Sequence, residues 1–448
     1  MSFLASLKNI VPDDPQLPGL VEAVEHAPTL VRLILAALQL GRALAVQVVE
    51  EILNARGRAP EAEGLQCAHC QAPLESKGLR RREILTLIGW VHWKRRVRRC
   101  PHGCTGSQVV PSDAQLGLLA YQQTSLEVKW LGSALAIFVP FETAAVLLAM
   151  LTAVQVSSKS IWLWVQERGQ LAMAQLDTQL AALEAGELPE VEVKAAALKM
   201  LSLLIGADGV MVPFRPTAGS PRGKTKWREV KVGILARLGQ RANGAKQLLQ
   251  RRLVAFLGPV ADFGPRLWLE AVTQGVQDAC RVAWLSDGGR GYWGVYHQYL
   301  ARYAIGILDF YHAAQNLWQG AKAGFDGRTA QAKQWFATNR RRLRHGKVKE
   351  VLTDISAALA LEGLPTSAHQ TLTNLYLYLD THREHLDYVQ FEKLGLPLGS
   401  GMVESACKWL IQQRFKGVGM RWSEEGFNHL LHLRLAWVNG RYDQLFAL

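Results

Sequence analysis

Asp208, Asp287 and Glu404 are the residues of this chain best placed for chemistry. Asp208 interrupts the apolar run from Leu198 to Val212, where a bare carboxylate is costly to bury without a partner or a metal. Asp287 closes another apolar run, Cys280 to Leu285, and precedes Gly288 and Gly289, whose backbone is free to approach a ligand. Glu404 lies in the tract Leu398-Gly-Ser-Gly-Met-Val-Glu-Ser-Ala-Cys-Lys408, with small residues at the entrance of a helix. Three carboxylates from separated elements are hard oxygen ligands, able to hold two divalent cations about 3.5 to 4 Å apart. One such ion activates an attacking hydroxyl and the other stabilises the leaving oxygen of a phosphodiester. Each acid alone has an ordinary reading: a turn or cap for either aspartate, and for Glu404 a solvated pair with Lys408 four residues on.

Cys67-Ala-His-Cys70 and Cys100-Pro-His-Gly-Cys104 are two thiolate pairs. In a reducing compartment they point to a structural tetrahedral Zn²⁺ rather than to disulfides. The second pair has three intervening residues instead of two, so His102 is an alternative fourth ligand. Cys280 and Cys407 stand alone and read as inert packing. Between the pairs, Arg80 to Leu87 and Trp90 to Arg99 read as a hairpin turning near Ile88-Gly89. It carries Arg80, Arg81, Arg82, Lys94, Arg95, Arg96, Arg98 and Arg99 with Trp90 and Trp93, so phosphate contact outweighs a purely structural ribbon.

The elements that must position these residues follow from periodicity. Pro28 to about Arg56 repeats Leu30, Leu33, Ile34, Ala37, Leu44, Val48 and Ile52 at helical spacing, predicting a long amphipathic helix that stops before Gly57-Arg-Ala-Pro60. Phe141 to Gly169 carries two helical patterns split by Gln155-Val-Ser-Ser158, with Ser157 or Ser158 as N-cap. A helix-turn-helix and an ordinary helical hairpin fit that stretch equally. After the acidic linker Glu184 to Glu192, strands are predicted at Leu198–Val212, Val230–Ala236, Arg252–Leu257, Cys280–Leu285 and Ala304–Leu308, with helices at Pro265–Ala279 and Tyr292–Ala301.

This order, three strands, helix, strand, helix, strand, is that of an RNase H-like core, and the two aspartates fall in register with it. From Ala313 to Phe391 the strands vanish, and a basic helical insertion carries the run Arg340-Arg-Arg-Leu-Arg-His-Gly-Lys-Val-Lys349. The last core helix is predicted from Ser400 to Lys416, ended by Gly417 and Gly419. The expected fold class is α/β: an RNase H-like core at 196–312 and 396–448 with an all-helical insertion at 313–395. An N-terminal helical segment (1–60), a zinc-ribbon hairpin (61–112) and a helical DNA-binding segment (113–195) precede it.

The 448 residues carry 51 Lys plus Arg against 38 Asp plus Glu, a formal charge of +13 that favours an anionic partner such as nucleic acid. Ala134 to Val156 looks apolar, but Pro140 and Glu142 interrupt it, and it reads as buried helices rather than a membrane span. The N-terminus, Met1 to Ile10, lacks an export pattern, so a cytoplasmic location is expected. Arg222, Lys224, Lys226, Arg228 and Lys231 near Asp208, and Lys408, Arg414, Lys416 and Arg421 flanking Glu404, are candidate phosphate-facing groups. Trp422 reads as packed in preference to stacked on a base, and His429 and His432, with Glu425, as an ordinary helix face.

Gly399-Ser-Gly-Met-Val-Glu-Ser-Ala-Cys-Lys408, followed by Gln413-Arg-Phe-Lys-Gly-Val-Gly-Met-Arg-Trp-Ser-Glu-Glu-Gly426, resembles the C-terminal signature of bacterial insertion-sequence transposases of the ISKra group, relatives of Mutator-like DDE transposases. Ala207-Asp208-Gly209, Ser286-Asp287-Gly288, Leu308-Asp309-Phe-Tyr-His312 and the cysteine hairpin are similar to further motifs of that group. The resemblance covers most of the chain from about Cys67 and is weakest over the first helix and the insertion. It implies that Asp208, Asp287 and Glu404 are a DDE triad binding two Mg²⁺ ions. Water would attack at the transposon end, and the freed 3′ hydroxyl would then attack target DNA. The implied partners are double-stranded transposon ends and target DNA, bound by a homodimer or higher oligomer. Asp309 and His312 match the group's Asp-x-x-His motif, which leaves both a bracing hydrogen-bonded pair and a direct metal or DNA role open. A nuclease of the same fold and a catalytically silent DNA-binding regulator are the alternatives. The basic ribbon and long insertion argue against the first, and retention of three carboxylates against the second.

Overall fold

The computed structural model describes residues 16–58, 65–105, 108–192, 195–216 and 223–446. Met1 to Ile10, on which the export reading rests, and Arg222 lie outside the described residues. The chain divides into two compact units, Met1–Val165 with Phe446–Leu448, and Gln166–Leu445.

In the first unit, α1 (Leu17–Glu25) packs Leu17 and Val21 against Leu40 of α2 (Leu30–Arg58). The helix α2 runs through Gly57 instead of stopping there. A Cβ at that position would fall 2.1 Å from the Lys94 carbonyl oxygen, so the glycine serves close packing on the neighbouring strand. β1 (Glu75–Thr86) and β2 (Gly89–Arg99) form the expected antiparallel hairpin. Glu50 and Asn54 of α2 accept hydrogen bonds from the His92 and Lys94 N–H groups at 2.6 and 2.9 Å, satisfying the open edge of β2. Ile84, Val91 and Trp93 form a small core beneath Val46, Val49 and Leu53. The helices α3 (Leu126–Phe138) and α4 (Phe141–Thr152) follow. Next comes α5 (Ser158–Glu184), whose first turn is capped by Ser157 Oγ accepting from Ser160 N at 3.0 Å. It continues past Gly169, the expected end, because that glycine lies against the His429 backbone and is a contact point, not a stop.

The second unit holds a five-stranded mixed sheet in the order β5-β4-β3-β6-β7. Its members are β3 (Ser202–Phe214), β4 (Lys226–Gln240), β5 (Lys246–Leu257), β6 (Val282–Ser286) and β7 (Ala304–Leu308). β3, β4 and β5 pair antiparallel, whereas β6 runs parallel to both β3 and β7. Parallel neighbours require crossovers. These are α6 (Val260–Thr273) and α7 (Arg290–Val295), the latter prolonged by a π-helical turn, Tyr296–Leu300. The elements appear in the expected order with shifted bounds. β3 begins at Ser202 because Ala196–Lys199 forms a helical turn, and α6 starts at Val260 and carries Pro265 inside it. β6 begins after Cys280, leaving that cysteine exposed, so the packing reading fails for Cys280 and holds for buried Cys407.

The insertion is all-helical: α8 (Phe310–Phe325), α9 (Ala330–Arg344), α10 (Val348–Leu359), α11 (Thr366–Thr381) and α12 (Tyr388–Lys393). Part of its basic run is spent internally, with Arg342 paired to Glu350 and Asp354, and Arg344 to Glu392. The chain then returns through α13 (Gly401–Ala406), which continues as a π-helical stretch, Cys407–Gln412, and ends at Gln413–Phe415. α14 (Glu424–Val438) is capped by Ser423.

Candidate active site

Strand register brings the aspartates together. Leu203–Gly206 of β3 lie opposite Val282–Leu285 of β6, and continuing that register by two residues sets Asp208 level with Asp287. Ser286 lies opposite Leu308 of β7, so the next residues, Asp287 and Asp309, are neighbours in turn. The three aspartates therefore form a row across three adjacent parallel strands, with Asp208 in the middle of the long β3 and Asp287 and Asp309 just past the carboxyl ends of β6 and β7, the edge where open α/β sheets present their ligand sites.

Asp208 is half-buried, and its Oδ1 accepts from Gly209 N at 2.6 Å. Burial raises its pKa, the nearby charges of Asp287 and Glu229 add to the rise, and the Gly209 N–H and His312 oppose it. Glu229, on β4, escaped the sequence reading, because only the β3–β4 pairing brings it beside Asp208. Its carboxylate overhangs Gly209, where a Cβ would come 1.8 Å from Oε1, and it pairs with Lys231 at 2.8 Å. Asp287 Oδ1 accepts from Gly289 N at 3.0 Å, and its carbonyl accepts from the Tyr378 hydroxyl at 2.8 Å. Gly288 between them has φ +96°, and a Cβ there would meet the Tyr378 ring at 2.4 Å; both facts demand glycine. Tyr378, from α11 of the insertion, is a second residue that the sequence did not reveal.

Asp309 is 2% exposed and fully engaged. As N-cap of α8 its Oδ1 accepts from the Tyr311 and His312 N–H groups at 2.6 and 3.0 Å. Its Oδ2 accepts from Ser400 N at 2.6 Å and from Ser400 Oγ at 2.5 Å. Burial alone would raise this carboxyl's pKa, but hydrogen bonds from His312 and Ser400 outweigh it and hold the group well below the usual carboxylate range. His312 Nδ1 lies 3.5 Å from Oδ2, a charge contact longer than a good hydrogen bond. That carboxylate, seconded by Asp287 and Asp208, raises the imidazole pKa against the opposing effect of burial.

Glu404 is exposed in the first turns of α13, where Val403 and Met402 rest on Gly206 of β3. Among the described residues it makes no ion pair with Lys408. Cys407, one turn later, has its thiol pushed up to about 12 by burial, then by Asp208 and Glu404, so it lies within electrostatic reach of both acids. The three carboxylates do not converge tightly. Among the described residues, the one set of three or more His, Cys, Asp or Glu ligand atoms lying within 4.8 Å of one another is Cys67, Cys70, Cys100 and Cys104.

Those four thiols are close enough to hold a metal ion such as zinc, whose sulfur ligands at about 2.3 Å would stand roughly 3.8 Å apart. Cys70 and Cys100 are already at 3.4 Å. The backbone N–H groups of Cys70 and His69 pull the Cys67 thiol down to about 6, as a thiolate ligand needs. Crowding by Cys70 and Cys100 pushes Cys104 up to about 12, a repulsion that a bound cation would relieve. In the second knuckle Gly103, with φ +68°, donates to the Cys100 carbonyl and brings Cys104 round despite the extra residue. His102 is exposed and outside the set, so the alternative ligand is dropped.

Several expected DNA contacts are committed elsewhere. Arg95 is buried and bonded to Asp113 at 2.8 Å, and Arg82 donates to the Leu119 and Gln122 carbonyls, both at 2.9 Å. Arg414 is buried, its pKa pulled down to about 10 by burial and by Arg434, and it stacks over Trp422. Arg228 pairs with Glu424 at 2.6 Å and Lys231 with Glu229. Trp93 is a core residue, and Trp422 packs against Phe415 and Phe427. These leave the candidate set because a side chain spent internally has no fork for a phosphate. Arg80, Arg81, Lys94, Arg99, Lys408 and Lys416 are exposed, as is Arg421, which donates to the Gly223 carbonyl. Arg96 and Arg98 are half-buried beside Ser76 and the Leu74 carbonyl. His429 bonds Gln166 and His432 the Asn428 carbonyl, as expected of an ordinary helix face.

No family model matches the chain, and no curated protein matches it either. Among solved structures it is similar to the Drosophila P element transposase strand transfer complex, at 11% identity over 74% of this chain and 83% of that chain, with a TM-score of 0.27. That likeness is weak.

Proposed function

We propose that the chain is a DDE transposase of a bacterial insertion sequence, working on DNA in the cytoplasm from an RNase H-like core with a helical insertion. The observation that carries this reading is the nearness of Asp208, in the middle of β3, to Asp287, just past the end of the neighbouring parallel strand β6, each within electrostatic reach of the other. The strand order β5-β4-β3-β6-β7, with three antiparallel and then two parallel members, is the order of an RNase H-like sheet. The tract around Glu404 supports the same reading through its resemblance to ISKra-group transposases.

The residues present suit hard divalent cations, since Asp208 suffers repulsion from Asp287 and Glu229 that a cation would relieve. Asp208, Asp287 and Glu404 would hold two Mg²⁺ ions, which when bound supply charge neutralisation and an activated oxygen nucleophile. The chain's own residues orient the substrate. Asp309 locks the start of α8 to Ser400 at the entrance of α13, the helix that bears Glu404, while His312 offsets the acid row's charge. In the first step water attacks phosphorus at the transposon end and the 3′ oxygen leaves with a proton. In the second, that 3′ hydroxyl attacks a target phosphodiester and releases a target 3′ hydroxyl. The cysteine cluster acts as a structural zinc ribbon, presenting Arg80, Arg81, Lys94 and Arg99 to DNA phosphates.

The test incubates wild type and Glu404→Gln with Mg²⁺ and DNA carrying the element's ends. Nicking is expected from wild type alone. Equal nicking by both would remove Glu404 from the triad.

A further inference from the structure

Among the described residues, α2 carries an apolar stripe with no partner. Val31, Ile34, Leu38, Gly41, Ala45, Val48 and Ile52 recur at alternating spacings of three and four, the seam pattern of a coiled coil. The large members are open to solvent, at 67, 51, 52, 54 and 47% exposure for Val31, Ile34, Leu38, Val48 and Ile52. At 100° per residue this stripe lies opposite Ala36, Leu40, Asn54 and Gly57, which face α1 and the hairpin. Gly41 and Ala45, small and at mid-seam, allow close helix approach, and a Cβ at Gly41 would meet nothing within 4 Å.

We propose that this stripe is a homodimer seam, on which α2 of a second copy of the chain packs as a two-stranded coiled coil. A seam of identical residues complements itself under two-fold symmetry, as an isologous interface requires. With the flanking Leu30 and Leu35, also exposed, the stripe offers about 700 Å² per copy, near the roughly 800 Å² per partner of a stable specific interface. By length and composition α2 is also apolar enough to cross a membrane. From Val46 onward, however, it is fastened to the hairpin through Val49, Glu50, Leu53 and Asn54. The remaining stretch, residues 30–45, spans about 24 Å, short of a hydrocarbon core of roughly 30 Å, and contains Arg32 and Arg42.

The inference rests on α2 alone and stands apart from the catalytic reading. Light scattering on the full chain across a dilution series is expected to give twice the 49.7 kDa chain mass. Leu38→Glu and Val48→Glu, each placing a charge in the seam, should weaken the dimer at least about 100-fold, and the milder Leu38→Ala about 10-fold. Arg32→Glu, on the opposite face, should leave the dimer unchanged. Thermal unfolding and zinc content check that each variant is folded. A wild-type monomer at every concentration, or a dimer indifferent to Leu38→Glu and Val48→Glu, would overturn the proposal. So would a wild-type monomer that sediments with phosphatidylcholine–phosphatidylglycerol vesicles through these same residues.

Discussion

Replacing Asp309 with asparagine separates bracing from chemistry. The carbonyl oxygen of the new side-chain amide could still accept from the Tyr311 and His312 N–H groups, but the amide nitrogen would then face Ser400 N, donor against donor, where Oδ2 now accepts at 2.6 Å. The hydroxyl of Ser400 can rotate; its N–H cannot. Losing charge-assisted bonds at a 2% exposed site, with one donor left unsatisfied, should cost about 2 to 4 kcal/mol. The pH dependence has a definite sign. The folded-state pKa of Asp309 is depressed, so its contribution is present above the unfolded value of about 3.9 and is lost as pH falls towards the folded value. Urea unfolding of both proteins at pH 7 and at lower pH measures this. The wild-type advantage should be full at pH 7 and shrink steadily below about pH 4. A difference under about 0.5 kcal/mol at pH 7, or one independent of pH, would refute the bracing role.

Gly288→Ala should destabilise the second unit by about 2 to 4 kcal/mol in thermal unfolding, through a positive φ and a clash with the Tyr378 ring. Cys67→Ser should release one zinc per chain by metal analysis; an unchanged content would refute a four-cysteine site. Arg81→Ala and Lys94→Ala should each weaken binding to DNA of any sequence and reduce the slope of log affinity against log salt by about one. Arg95→Ala should instead lower the melting temperature, because it strands the buried Asp113, and its salt slope should match wild type.

The order of strands and helices was legible because buried parallel strands such as Val282–Ser286 are continuous apolar runs, whose signal is local. The hairpin was legible from another local signal, two extended segments meeting near Ile88-Gly89 between the cysteine pairs. What failed was punctuation. Gly57 and Gly169 read as stops but are points of close approach, and Pro265 read as a helix start but lies inside one. The face of each basic residue in the hairpin was available and missed: Val91, Trp93, Arg95 and Val97 share one side of β2, so a period of two already argued that Arg95 points inward with the core. Arg82 could not have been foreseen, since its carbonyl partners lie about forty residues away. The alignment of Asp208 with Asp287, and the approach of Glu229 and Tyr378, depend on register and on packing of the insertion, neither of which is written in local sequence.

The proposed DNA cleavage depends on Asp208 and Asp287 holding the metal ions together. Its most direct test is the Mg²⁺-dependent nicking rate of Asp208→Asn and Asp287→Asn on DNA bearing the element's ends, with DNA binding measured alongside. Unchanged binding is expected, with a loss of at least about a thousandfold in rate for each, equivalent to roughly 4 kcal/mol of transition-state stabilisation. Either variant nicking within a few-fold of wild type would contradict it.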